Sequence, residues 1–241
     1  GPRQGARVVG FRAGGAWAEL VAVGTDALAE VPPAVSFAQA ATLPVAGLTA
    51  MHAVDRGGGM VGRTALVTGA SGGVGHFACQ LARLAGARVM AVVRQAAHEA
   101  MVRGAGADHV VVSDDASPAS EFAPYHLVVE SVGGRTLGAV MAMLASGGTC
   151  VVFGASSGPE ATFHVGRFFG TGAVTLYGLV LATELRREPA SIGLARLVRM
   201  VSAGALRPHI EVEAPWTEIA EIAGRLMDRR YPGKAVLRVG G

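Results

Sequence analysis

From about residue 64 onward, short apolar runs alternate with longer amphipathic stretches. The runs are "TALVT" (64–68), "ARVMAVV" (87–93), "HVVVS" (109–113), "HLVVES" (126–131), "GTCVVFG" (148–154) and "VTLYGLVL" (174–181). Most are near-continuous in apolar residues, the pattern of strands buried on both faces of a parallel sheet. Between them, "HFACQLARLAG", "AHEAMVRGAG" and "RTLGAVMAMLASGG" set apolar residues three and four apart and close on glycine, as helices do. Strands joined by crossover helices predict an α/β fold: a doubly wound, parallel, six-stranded sheet covered on both faces.

The flanks read differently. Residues 1–31 carry "ARVVGF", a Gly-Gly pair and "AWAELVAV", which predict two antiparallel strands joined by a turn. Toward the other end, "SIGLARLVRMVSAG" and "WTEIAEIAGRLMDRR" predict helices, and "GKAVLRV" (233–239) a final strand.

Composition narrows the function classes. Half of the 241 residues are hydrophobic and 16% charged, which suits a folded chain with a large core. The net charge of +3 is spread without a basic run, and Lys234 is the only lysine, so no nucleic-acid face is expected. Cys79 and Cys150 are the only cysteines, too few for a disulfide framework or a four-cysteine zinc site. The histidines are scattered without ligand spacing, and no metal is expected. No apolar run is long enough to span a membrane and no signal sequence is recognisable, so a cytoplasmic protein is the expectation.

The candidate chemistry sits between "ALVT" and "HFACQLARLAG", at Gly69-Ala70-Ser71-Gly72-Gly73-Val74-Gly75. Small residues let a strand-to-helix turn close tightly and approach a pyrophosphate, while the first helical amides and the helix dipole face its charge. Read strictly the motif is Ala70-x-Gly72-x-x-Gly75, with Ala where the dinucleotide fingerprint begins with Gly. About twenty residues beyond the turn, where an NAD enzyme places an acid for the ribose hydroxyls, the chain has "VVRQ". Arg94 there would attract a 2′-phosphate, so NADPH is expected rather than NADH.

"TGASGGVG" also satisfies the turn of the short-chain dehydrogenases. That family needs a Tyr-x-x-x-Lys pair to lower the phenol pKa. The tyrosines here are Tyr125, Tyr177 and Tyr231, and Lys234 follows the last at the wrong spacing.

"GGAWAELVAV", then "VPPAVSFAQAATLPVAGLTAMHAV", then the glycine turn resembles instead the medium-chain dehydrogenase/reductase superfamily, in its zinc-free quinone oxidoreductase (zeta-crystallin-like) branch. The resemblance continues through "ESVGG" (130–134), "GGTCVVFGASSG" (147–158), "LRPHIE" (206–211) and "GKAVLRV", so it covers nearly the whole chain. Glu130 stands where that family usually has Asp.

The resemblance implies a Rossmann domain over 41–184, a remnant of a catalytic, GroES-like β domain over 1–40, and a C-terminal segment, 185–241, returning to that lobe. It implies that Ser71, Gly72, Gly73 and Val74 contact the pyrophosphate and Arg94 the adenosine phosphate. Ser131 and Val132 would border the ribose and adenine side, Phe153, Gly154 and Ala155 the nicotinamide ribose, and Thr49 the nicotinamide. The implied activity is hydride transfer from NADPH to a quinone or an α,β-unsaturated carbonyl compound, without a metal and with no catalytic acid that the residues identify. His76, opening the helix after the turn, reads as structural.

Family members ordinarily begin with a mostly β domain that forms the other wall of the substrate cleft, and this chain enters near its end. That leaves a second function in view: a non-reductive descendant, such as a cyclase, an NADPH sensor or a scaffold. The last strand, around Leu176 to Leu179, is an apolar edge that pairs with its twin across a two-fold axis in such proteins, so a homodimer is expected.

Overall fold

A computed structural model describes residues 1–240. In chain order the elements are β1 (Val8–Gly10), β2 (Leu28–Glu30), α1 (Phe37–Ala41), α2 (Leu48–Asp55), β3 (Thr64–Val67), α3 (Gly73–Leu84), β4 (Arg88–Val93), α4 (Glu99–Gly104), β5 (His109–Val112), β6 (Tyr125–Glu130), α5 (Gly134–Met141), β7 (Leu144–Val152), α6 (Val165–Thr171), β8 (Thr175–Gly178), α7 (Leu181–Glu184), α8 (Ala190–Ser202), β9 (Ile210–Pro215), α9 (Ile219–Met227) and β10 (Lys234–Arg238). They form two compact units, residues 49–180 and residues 1–48 together with 181 onward.

The 49–180 unit is the doubly wound sheet that the apolar runs predict. Its six strands lie in the order β5-β4-β3-β6-β7-β8, all parallel. The chain starts in the middle at β3, winds outward through β4 and β5, then crosses back to β6. The carboxyl ends of β3 and β6 therefore flank the switch point, where a crevice opens in such sheets.

Both faces of the inner strands are buried, which is why their runs lack alternation. Leu66, Met90, Val128 and Cys150 lie in register across four strands in a core that also holds Val140, Met141 and Leu144. Their neighbours along the strands, Val67, Ala91, Val129 and Val151, are equally hidden. Tyr125, fully buried, satisfies its phenol by donating to the Ala119 carbonyl at 2.6 Å.

Two elements of this unit depart from the sequence expectation. The helix over "RTLGAVMAMLASGG" stops at Met141, and Leu144 already pairs with Tyr125 as strand β7. The register shifts between Tyr125 and Leu127, and Gly147 takes φ +71° in the displaced stretch, so the Gly-Gly pair serves a strand irregularity instead of a helix end. The strand over 174–181 ends at Gly178, although the Leu179 amide still donates to Val152 at 2.8 Å. Leu179 is 5% exposed and Leu176 41%, so Leu176 alone of the pair is available at the sheet edge. Helix α6 carries no clear signal in the sequence.

In the other unit, β1 pairs antiparallel with β2, not with "AWAELVAV". That segment makes no ladder among the described residues: Trp17 is 71% and Leu20 92% exposed, Trp17 meets Trp216 edge-on at 5.5 Å, and the Ala22 carbonyl accepts from Arg12 Nη1. β10 pairs parallel with β9, a strand that the sequence reading leaves out although its residues alternate between partly buried and exposed. α9 and Tyr231 cover this pair through a small core of Ala214, Ile222 and Tyr231. Leu194, Leu197, Val198 and Val201 of α8 are buried, and a Cβ at Gly47 would lie 3.0 Å from Leu197. An apolar cleft of about 650 Å³ opens in this unit, lined among others by Phe37, Trp17, Trp216 and Leu226. Among the described residues no helix is long and apolar enough to cross a membrane.

Candidate functional site: a glycine-lined crevice at the sheet switch point

The strand β3 ends at Val67, and Thr68 and Gly69 begin the turn. Gly69 sits at φ +56°, in the left-handed region where a side chain is strained, and its carbonyl accepts from the Gly72 amide at 2.9 Å. Gly72 is the N-cap of α3 in an extended conformation with no capping side chain. The first intrahelical bond runs from the His76 amide to Gly72, at 2.9 Å, so the amides of Gly73, Val74 and Gly75 open the helix without helical acceptors. Such a helix start suits an anion.

Gly75 is required for space. A Cβ there would stand 2.4 Å from the Gly69 carbonyl oxygen and 2.7 Å from the Ala70 Cα, so the helix packs directly on the turn's backbone. His76 is 7% exposed at this helix start, in keeping with a structural part.

Two further loops meet this turn. After β6, the Ser131 amide donates to Thr68 Oγ1 at 3.1 Å, and Ser131 Oγ donates to the Thr68 carbonyl at 3.4 Å. After β7, Phe153 donates to the Glu130 carbonyl at 3.1 Å, and Ser157 donates to the Val132 carbonyl through its amide at 2.7 Å and its hydroxyl at 2.9 Å. A Cβ at Gly154 would lie 2.8 Å from the Ser131 oxygen, and one at Gly133 only 2.4 Å from the Gly158 oxygen. Gly133 also has φ +73° and bridges to Gly158.

The structure therefore brings Ser71, Gly72, Gly73, Val74, Ser131, Val132, Phe153, Gly154 and Ala155 onto three linked loops at one end of the sheet. Arg94 follows the end of β4, exposed, two residues beyond Val92, whose carbonyl accepts from the Ala70 amide of the turn at 3.1 Å. Thr49 is 6% exposed on α2, in the same compact unit as the loops.

Glu130 and Thr68 carry more of the site than their sequence positions suggest. Glu130 is fully buried, and its Oε1 accepts from Thr68 Oγ1 at 3.1 Å, the Val132 amide at 2.7 Å and the Gly133 amide at 3.2 Å, while Oε2 accepts from Gly133 at 3.1 Å. Burial pushes its carboxyl up, and the donated bonds from Val132, Gly133 and Thr68 oppose that. In the sequence each is a polar residue closing an apolar strand, and Glu130 also stands where the resembled family usually has Asp.

Among the described residues no three or more His, Cys, Asp or Glu gather as a metal-ligand group. Both cysteines lie in the core, where desolvation raises the Cys79 thiol to about 12 and Cys150 higher still.

The family model for zinc-binding dehydrogenases matches residues 73–196, more than half of the chain. This chain belongs to the zinc-binding dehydrogenase family. Its membership of the medium-chain dehydrogenase/reductase superfamily, expected from the sequence, is borne out by the relatives it matches. It is 32% identical to the chloroplast envelope quinone oxidoreductase homolog of Arabidopsis thaliana, over 95% of this chain and 70% of that one. It is 29% identical to the human mitochondrial NAD(P)H oxidoreductase RTN4IP1 over 93% of this chain, and spans 61% of that relative's length. The mycobacterial protein Rv1454c, solved as its complex with NADPH, superposes with a TM-score of 0.80 at 29% identity, over 89% of this chain and 69% of that one.

Proposed function

We propose that this chain forms the nicotinamide-binding part of an NADPH-dependent oxidoreductase that reduces a quinone or an α,β-unsaturated carbonyl compound without a metal. The observation that carries the reading is the turn Gly69–Gly75, with its uncapped helix start packed on glycine backbone, next to a β4 that is followed by Arg94 instead of an acid. The cradle suits a dinucleotide: the bare Gly75 lets the helix start pack on the turn's backbone, and the open amides of Gly73 to Gly75 are donors for a pyrophosphate. Ser71 to Val74 would hold that group and Arg94 the adenosine 2′-phosphate. The loops at Ser131–Val132 and Phe153–Ala155 would border the ribose and nicotinamide, with Thr49 on the nicotinamide side.

Bound NADPH would supply a hydride. The residues around it would hold donor and acceptor aligned and dry, a role that asks little of side-chain acid or base. An enone or quinone is already electron-poor at the carbon that accepts hydride, so no Lewis acid is needed. The only two cysteines, with thiols held neutral in the core, are poor ligands for one. The exposed β8 edge, with Leu176 outward, supports the further proposal of a homodimer.

Calorimetric titration of the chain with NADPH and with NADH tests the reading. NADPH is expected to bind more tightly than NADH, and Arg94→Gln to weaken NADPH by about tenfold while leaving NADH unchanged. Equal affinities in the parent chain, or a substitution that changes nothing, would refute the part given to Arg94. NADPH binding with no turnover of quinones or enones would favour a non-reductive descendant.

A further inference from the structure

The crevice is lined by three loops, and two of them are tied together by one carboxylate. Thr68, at the end of β3, is fully buried. Its hydroxyl donates to Glu130 Oε1 at 3.1 Å and accepts from the Ser131 amide at 3.1 Å, so one side chain is used in both directions across the switch point. Glu130, at the end of β6, receives Thr68 on one side and the Val132 and Gly133 amides on the other.

Every polar neighbour of this carboxylate in the network is a donor. That donor set suits the ionised form and is worth keeping in a dry site only because each contact is charge-assisted. The pair also stands where the turn meets a side chain of the β6 loop. A Cβ at Gly69 would lie 2.6 Å from Ser131 Oγ, so the Ser131 hydroxyl sits directly against the turn.

We propose that Glu130 and Thr68 are positioning residues that set the width of the dinucleotide crevice. They lock the Ser131–Gly133 loop against the glycine turn before any cofactor arrives. This rests on the reading of the crevice as a nicotinamide-dinucleotide site. Neither side chain touches the cofactor. Both act through the backbone of Ser131, Val132 and Gly133, and what they supply is preorganisation, the ordering that a ligand would otherwise impose on binding. The length of the Glu side chain matters, since it reaches past its own strand end to a residue three positions on.

Two pairs of substitutions separate this from a role in folding alone. Thr68→Ser keeps the hydroxyl, and Thr68→Val keeps the shape without it. In Glu130→Gln the amide nitrogen cannot accept from Gly133, while Glu130→Asp keeps the charge on a shorter arm. Each is examined by calorimetric titration with NADPH, with urea unfolding measured in parallel.

Thr68→Ser is expected to bind NADPH within about threefold of the parent, and Thr68→Val and Glu130→Gln to bind about tenfold more weakly or worse. Glu130→Asp should fall between. Backbone amides of Val132 and Gly133 in the cofactor-free chain should exchange hydrogen faster in the two weak variants while those of β3 and β6 do not. If Thr68→Val and Glu130→Gln fold and bind NADPH as the parent does, the proposal fails. It fails equally if all four variants lose affinity in proportion to lost stability, with no rescue by serine. If the parent chain itself binds neither NADPH nor NADH, the reading of the crevice fails, and the exchange comparison alone decides whether the pair orders the loop.

Discussion

Replacing Gly75 by Ala probes the packing of α3 on the turn most directly. The added Cβ would meet the Gly69 oxygen at 2.4 Å, whereas real Cβ contacts essentially never fall under 3.0 Å, so the helix start or the turn has to move by at least about 0.6 Å. Both contacting groups are backbone, with no flexible side chain to swing aside. Overpacking of this kind costs about 1–3 kcal/mol, and backbone on both sides argues for the upper part of that range. Against it stands the helix preference of Ala over Gly, up to about 1 kcal/mol. The net expectation is a loss of about 1–2 kcal/mol, read as a lower urea midpoint with unchanged slope.

Gly104, exposed in α4 of the same unit, has open space around its Cβ position and an ordinary φ. There the same substitution should be neutral or stabilise by up to about 1 kcal/mol. Because Gly75 packs on the turn itself, its alanine variant should also weaken NADPH binding, which the Gly104 variant should leave alone. An alanine at Gly75 that matched or exceeded the parent in stability would show that α3 does not rest on the turn as described. Equal effects at both glycines would refute the packing argument as a whole.

Other expectations follow from burial and from the sheet edge. Cys79 and Cys150 are fully buried with thiols raised, Cys79 to about 12, so neither should react with a thiol reagent at about pH 8 until the chain unfolds, when both should react. Fast labelling of the native chain would contradict the packing of the sheet. If β8 pairs with its twin, the parent should elute in size-exclusion chromatography at twice its 24.4 kDa, and Leu176→Glu should move it toward one chain. A parent that elutes as a single chain, or a variant that elutes unchanged, would sink the proposed dimer edge. Leu179 is unsuitable for that test, because a charge at a position only 5% exposed would damage the fold.

Much of the architecture was decided locally. Near-continuous apolar runs at strand length, separated by three- and four-spaced stretches ending on glycine, leave a parallel sheet covered on both faces as the stable arrangement, because such strands have no face to give to water. The glycine turn was equally legible, since a strand running into small residues and then a helix is a local pattern. So was Arg94, whose place is counted from that turn.

Long-range pairing settled the remainder. "AWAELVAV" has a strand's composition, yet Leu28–Glu30 takes the place beside β1, since a short segment becomes a strand only where another backbone accepts its hydrogen bonds. β9 forms because β10 lies alongside it, and "LASGG" leaves the helical pattern because Leu144 finds Tyr125. The same holds in the crevice. Thr68 and Glu130 are ordinary polar residues 62 positions apart, and only the crossing from β3 to β6 turns them into a buried pair that holds two loops together. Local patterning writes the elements, because periodicity and turn chemistry act over a few residues. The crevice is tertiary, because its contacts join residues that only the winding of the sheet brings together.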